Sequence, residues 1–175
     1  DIGTQSGKVY ALPFAISLPI TYYNLDLVKR AGGDPDRLPT TWDGVIALAN
    51  RVRALGGDTN GITMAWDITG NWLWQAPVLS QGGSMLSADE KKVAFDGPAG
   101  QFAIDLYARL VQEAKLPNLS QPDSRAAFAA GKTGIHVTST SDLAKVTSMV
   151  GGKFALKTHA FPDVKEGSGR LPAGG

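Results

Sequence analysis

The residues best placed to do chemistry lie in one stretch, Gly131 to Val146. Thr133 to Val137 is β-branched and apolar enough to be a buried strand. Thr138, Ser139, Thr140, Ser141 and Asp142 follow at once and crowd hydroxyls and a carboxylate into a turn. Leu143, Val146 and Val150 then recur at helical spacing, so the turn opens a helix. The free N–H groups and positive dipole end of a helix start attract anions and hydroxyl oxygens. The plainer reading is that one Ser or Asp caps the helix. Four hydroxyls in a row exceed what a cap needs.

Trp66, Trp72 and Trp74 form a second constellation around the turn Asp67 to Asn71. Trp72 and Trp74 are two apart and cannot share a helix face, so one can pack in the core while the other faces a cleft. Such a cluster suits stacking on a sugar or polyol, although aromatics also dominate cores. Other patterns carry less. Ala130-Gly-Lys-Thr133 resembles the end of a phosphate-binding loop, but that motif needs glycine where Ala126 stands. The stretch also ends a helix and opens a strand, the reverse of the required order, so a helix C-cap with Lys132 facing the negative dipole end is expected. His136 and His159 lie inside predicted strands with no ligand partners at metal-binding spacing. A triad of Ser139, His136 and Asp142 lacks the nucleophile elbow. No cofactor, metal or catalytic residue is implied.

These residues need elements to position them. Lys8 to Leu12 reads as a strand closed by Pro13, and Ile16 to Tyr23 as an extended stretch that Pro19 marks as an edge or irregular segment. Asn24 to Ala31 is a short helix, and Thr41 caps a longer one with Val45, Leu48, Ala49, Val52 and Leu55 on one face. Gly61 to Ala65 is a buried strand, Trp72 to Ser80 a helix, and Val93 to Phe95 a short strand. The longest helix follows Asp96 and buries Phe102, Ala103, Leu106, Tyr107, Leu110 and Val111. Pro122 to Ala130 is a helix, Lys153 to Phe161 the last strand, and Pro162 to Gly175 a loop. Strands alternating with helices argue an α/β fold, a central sheet flanked by helices.

The chain of 175 residues is long enough for one such domain. Its net charge of +1 gives no basic stripe for nucleic acid, and it has no cysteine for a disulfide or thiolate site. It starts at Asp1 and ends in what reads as a cut loop, so a processed or excised piece is expected.

An ordered set of short motifs points further. Gly7-Lys-Val-Tyr-Ala-Leu-Pro13, Tyr22-Tyr-Asn-Leu-Asp26, Ala31-Gly-Gly33 and Pro39-Thr-Thr-Trp-Asp43 come first. Gly82-Gly83, Phe95-Asp-Gly-Pro98, Phe128-Ala-Ala-Gly-Lys132, Phe161-Pro162 and Gly174-Gly175 follow. Together they resemble the extracellular solute-binding proteins of ABC importers, and among them the glycerol-3-phosphate-binding group. The resemblance implies one lobe, the second, of a two-lobe periplasmic-binding-protein fold over residues 1–175, with 1–23 and 154–175 next to the hinge and the other lobe absent. It implies a periplasmic, or extracellular and membrane-tethered, receptor for a sugar, polyol or phosphorylated polyol, with a membrane ABC permease as partner. It also implies contact with the ligand through Trp66, Trp72, Ser139, Thr140, Ser141, Ser17, Gly174 and Gly175. An isolated lobe with exposed hinge strands is expected to self-associate. Two competing readings are a protein-interaction module built on the tryptophans and an NTP- or glycoside-processing enzyme.

Overall fold

The computed structural model describes residues 3–12, 14–67 and 72–174. Its centre is a four-stranded mixed sheet. The strands are β3 (Pro19–Asn24), β4 (Asn60–Met64), β5 (Thr133–Ser139) and β6 (Leu156–Ala160), in the order β4-β5-β3-β6. β3 runs antiparallel to both its neighbours, and β4 runs parallel to β5. A small hairpin, β1 (Thr4–Gln5) with β2 (Lys8–Val9), precedes the sheet.

Side chains alternate across the sheet, and both faces are covered. Tyr23, Ile135, Val137, Ile62 and Met64 face the larger core. α2 (Trp42–Arg53) lies over it with Val45, Leu48, Ala49 and Val52, as its sequence spacing predicts. α3 (Trp72–Ser80) and α4 (Pro98–Gln112) complete that layer with Leu73, Ala76, Leu106 and Leu110. Tyr22 points the other way, to Phe128, Val146, Val150 and Phe154 from α5 (Gln121–Ala129), α6 (Leu143–Val150) and the loop before β6. His136 lies on this second face, stacked on Phe128 with ring centroids 5.6 Å apart. Double coverage is why β5 is buried at every residue.

The helix ends follow the polar residues. Asn24 Oδ1 accepts from the backbone N–H groups of Asp26 and Leu27 and so starts α1 (Leu25–Arg30). Thr41 starts α2, and Ser120 starts α5. Gly131, at φ +77°, turns the chain from α5 into β5. Among the described residues, no helix is long and apolar enough to cross a membrane.

Several expectations need correcting. Pro19 is no edge marker: it begins the inner strand β3, where its missing N–H is tolerated at the first position. The strand expected over residues 8–12 shrinks to Lys8–Val9, and the one expected at 93–95 to a single bridge between Leu86 and Val93. Lys132 does not lie over the helix end but pairs with Asp58 at 3.0 Å. Val111 is 55% exposed rather than part of the α4 core stripe. Trp42, the fourth tryptophan, is the one that belongs wholly to the core, edge-on to Phe161.

Burial holds the His136 pKa down to about 4, with Asp142 opposing and Arg125 adding to the shift. An unfolded histidine titrates near pH 6.5, so between about 6.5 and about 4 the unfolded chain binds the extra proton. Stability therefore falls as pH drops through that window, by on the order of 3 kcal/mol. Urea unfolding followed from about pH 7 to about pH 4.5 should show this slope. His136→Asn should flatten it, even though that variant starts less stable.

Candidate functional site

One end of the sheet collects nearly all the residues singled out above. In the β3–β5 register Pro19 faces Ser139, and in the β3–β6 register Ile20 faces Ala160. Ala65 continues β4 past Met64 by donating its N–H to the Val137 carbonyl at 3.0 Å. The start of β3 and the ends of β4, β5 and β6 therefore share this edge. Ser17, Trp66 and Ser139–Ser141 project from it, and the loop after β6 brings Gly174 back to it.

Ser17 and Gly174 form a two-way bridge. The Ser17 N–H donates to the Gly174 carbonyl at 2.6 Å, and the Gly174 N–H to the Ser17 carbonyl at 2.9 Å. The Trp72 indole closes on this bridge. A Cβ added at Gly174 would stand 3.1 Å from Ser17 Oγ and 3.2 Å from Trp72 Nε1, so glycine permits the approach. Trp72 Nε1 is buried there with no acceptor. Gly175 lies outside the described residues. One residue on, Leu18 donates to Thr140 Oγ1 at 3.0 Å, and the Thr140 N–H donates to the Leu18 carbonyl at 2.8 Å.

The hydroxyl-rich turn is a 3-10 turn, Thr140–Asp142, that leads into α6. Its cap is Ser139, whose Oγ accepts from the Ser141 N–H at 3.1 Å and shares a proton with Ser141 Oγ at 2.8 Å. Asp142 has no capping hydrogen bond. Its carboxylate faces inward and accepts from Arg125 Nη2 at 2.9 Å and from Thr138 Oγ1 at 2.8 Å. The Tyr22 hydroxyl donates to the Ser139 carbonyl at 2.7 Å. Burial and the nearby Asp142 carboxylate push its pKa well up, so it stays a donor.

A hydroxyl carries one donor and two acceptor sites. Thr138 uses its proton on Asp142. Thr140 is an acceptor for Leu18 and keeps its proton. The Ser139–Ser141 pair consumes one proton and leaves the other. The turn thus retains neutral donors and acceptors that can serve a second partner, and it holds no mobile charge.

Trp66 is not brought to the Ser17–Gly174 bridge. It is 43% exposed and lines a separate hollow of about 290 Å³ with residues of α4 and the loop after it. Trp74 packs edge-on against Phe95. The drawn triad does not assemble: His136 Nδ1 bonds Thr63 Oγ1 at 2.9 Å, and Asp142 serves Arg125. Sequence reasoning missed Arg125 and Tyr22. A signal for Arg125 existed, since it lies three residues before the core Phe128 and so on the same helix face.

A model of the bacterial extracellular solute-binding proteins matches residues 1–173. The chain belongs to this family. The sn-glycerol-3-phosphate-binding periplasmic protein of Yersinia pestis is 24% identical over 151 residues, 82% of this chain and 34% of that protein. The GacH receptor of Streptomyces glaucescens, crystallised unliganded and with acarbose, superposes with a TM-score of 0.78 at 21% identity. That match covers 99% of this chain and 44% of the receptor. UgpB of Mycobacterium tuberculosis, in complex with glycerophosphocholine, superposes with a TM-score of 0.74 at 24% identity, over 91% of this chain and 39% of that one. The chain thus spans less than half the length of each of these solute-binding proteins. Its fold is that of one α/β lobe in their two-lobe architecture.

Removing the Asp142 carboxylate would strand a buried guanidinium. Asp142→Ala should cost about 3–5 kcal/mol in guanidinium chloride unfolding. The double variant Arg125→Met, Asp142→Leu should recover most of that loss, because the unpaired charge leaves with its partner.

Proposed function

We propose that this chain is the ligand-binding lobe of a periplasmic receptor that delivers a sugar, polyol or phosphorylated polyol to an ABC permease. The observation that carries the proposal is the convergence of Ser17, Trp72, Ser139–Ser141 and Gly174 on one edge of the sheet. Neutral hydroxyls, backbone groups and a partly exposed indole suit a many-hydroxyl solute that must be released unchanged. The turn's backbone could also receive a phosphate without a lysine. The ligands named for the neighbours, acarbose and glycerophosphocholine, belong to the same chemical range. On this reading the protein binds its solute and performs no reaction on it. Segments 1–23 and 154–175 lead to the hinge, and the ligand is shared with the other lobe.

The apolar side chains that precede β3 favour this layout. Val9, Tyr10, Leu12, Phe14, Ile16 and Leu18 are all exposed. A run of that kind calls for a covering surface, and the other lobe is the proposed cover. With the strip uncovered, self-association follows, and sedimentation should show it rising with concentration. Phe14→Ser with Leu12→Ser should abolish it.

Tryptophan fluorescence titrated with glycerol-3-phosphate, glycerophosphodiesters and a sugar panel tests the binding proposal. A saturable change should occur with one class and weaken by about tenfold or more in Trp72→Ala. If neither this chain nor this chain joined to a first lobe responds, the proposal fails.

A further inference from the structure

The sugar or polyol reading admits two kinds of solute at the hydroxyl turn, a neutral one and one carrying a phosphate. The donors at the turn separate them. A helix grips a phosphate through its leading N–H groups, and here those groups are spent. The Thr140 N–H donates to the Leu18 carbonyl at 2.8 Å, and the Ser141 N–H to Ser139 Oγ at 3.1 Å. The 3-10 turn over Thr140–Asp142 directs the Asp142 N–H back at the Ser139 carbonyl, by the hydrogen-bond pattern that defines such a turn. The Leu143 N–H goes to the Thr140 carbonyl. The segment that opens α6 therefore turns its first donors into the protein.

The charges point the same way. A phosphate that leaves water needs charge-assisted donors in place of its hydration. The cation behind the turn is Arg125, and it is buried and committed to Asp142 at 2.9 Å. Asp67, in the loop that leaves β4 at this end of the sheet, adds a carboxylate, held by the Gln121 N–H at 3.1 Å. Lys145 lies one turn beyond Ser141 on α6 and is exposed, with no ion pair among the described residues. An ammonium in open solvent is a weak grip that salt screens.

What the edge does offer is neutral hydroxyls. Ser17 Oγ has no hydrogen-bond partner among the described residues. Thr140 Oγ1 accepts from the Leu18 N–H at 3.0 Å and keeps its proton. Ser139 Oγ already accepts from the Ser141 N–H. With Ser139 donating within the serine pair, the exposed Ser141 keeps its proton as well. Each of these oxygens both donates and accepts. A sugar or polyol hydroxyl does the same and can match them bond for bond. A phosphate dianion only accepts, so it meets their protons but also their lone pairs.

We propose that this edge selects the uncharged, hydroxylated part of the solute and gives no preference to a phosphate. The inference rests on the reading of the edge as a sugar or polyol site. A phosphorylated solute then presents its phosphate away from the turn.

The test is calorimetric titration of the full chain with two matched pairs, glycerol with glycerol-3-phosphate and glucose with its phosphate monoester. Within a pair that binds, the two affinities should agree to about threefold. Raising the salt from about 0.05 to about 0.5 M should leave both unchanged. Ser141→Ala should weaken both members by the same factor, about fivefold or more, and Lys145→Gln should weaken neither. A phosphorylated member that binds about tenfold tighter or more overturns the inference and leaves the solute reading standing. Whether that advantage survives Lys145→Gln then says whether backbone or lysine holds the phosphate. If only the chain joined to a first lobe binds, Ser141→Ala decides: equal losses support the inference, and a loss about tenfold greater for the phosphorylated member overturns it. If no member binds in either form, the solute reading falls and the inference falls with it.

Discussion

The ion pair between Arg125 and Asp142 is the constraint on which the working edge depends. Both side chains are almost wholly buried, and they meet at 2.9 Å. Two charges out of water are tolerated only when each is paired and hydrogen-bonded. Thr138 supplies the second bond to the carboxylate. Arg125 Nε is left without a partner, so the pair is not fully satisfied. What it achieves is position: it ties α5 to the turn between β5 and α6. A turn of four small hydroxyl residues has little packing of its own to fix it.

From that anchor the order spreads outward. Tyr22 reaches from β3 to hold the Ser139 carbonyl, and Thr140 clasps Leu18 on both its backbone groups. The crossing segment at Ser17 and Leu18 is thereby fixed against β5, and the return segment is fixed against Ser17 through Gly174. Preorganised donors lose less freedom on binding than mobile ones. The same network explains why the hydroxyls could be read two ways. Each has a structural bond, and several still keep a proton or lone pair in reserve. Cap and site are the same atoms at different valences.

The architecture was largely legible in the chain because periodicity and caps both encode it. Thr41 before Val45, Leu48, Ala49 and Val52 predicts α2, and the β-branched and apolar residues among Thr133 to Val137 predict a buried strand. Legibility fails where long-range pairing decides. Pro19 suggests an edge until β5 and β6 are seen on either side of it. Val93 to Phe95 has strand residues but finds one bridging partner, Leu86. The site was half legible. Ser17, Trp72 and Gly174, distant in the chain, meet in space, whereas Trp66, near Trp72 in sequence, lines a different hollow. Arg125 was missed because a lone arginine on a short helix looks like a solvated charge until Asp142 arrives from seventeen positions away.

On the proposed function, solutes bind at the Ser17–Ser139–Gly174 edge of this lobe. Amide chemical-shift mapping with the best-bound polyol would locate the binding surface. The perturbed amides should cluster at Ser17, Leu18, Trp72, Ser139 to Asp142 and Gly174. Perturbations concentrated instead at the opposite surface hollow of Gly33, Arg37 and Arg51, with the edge silent, would contradict it.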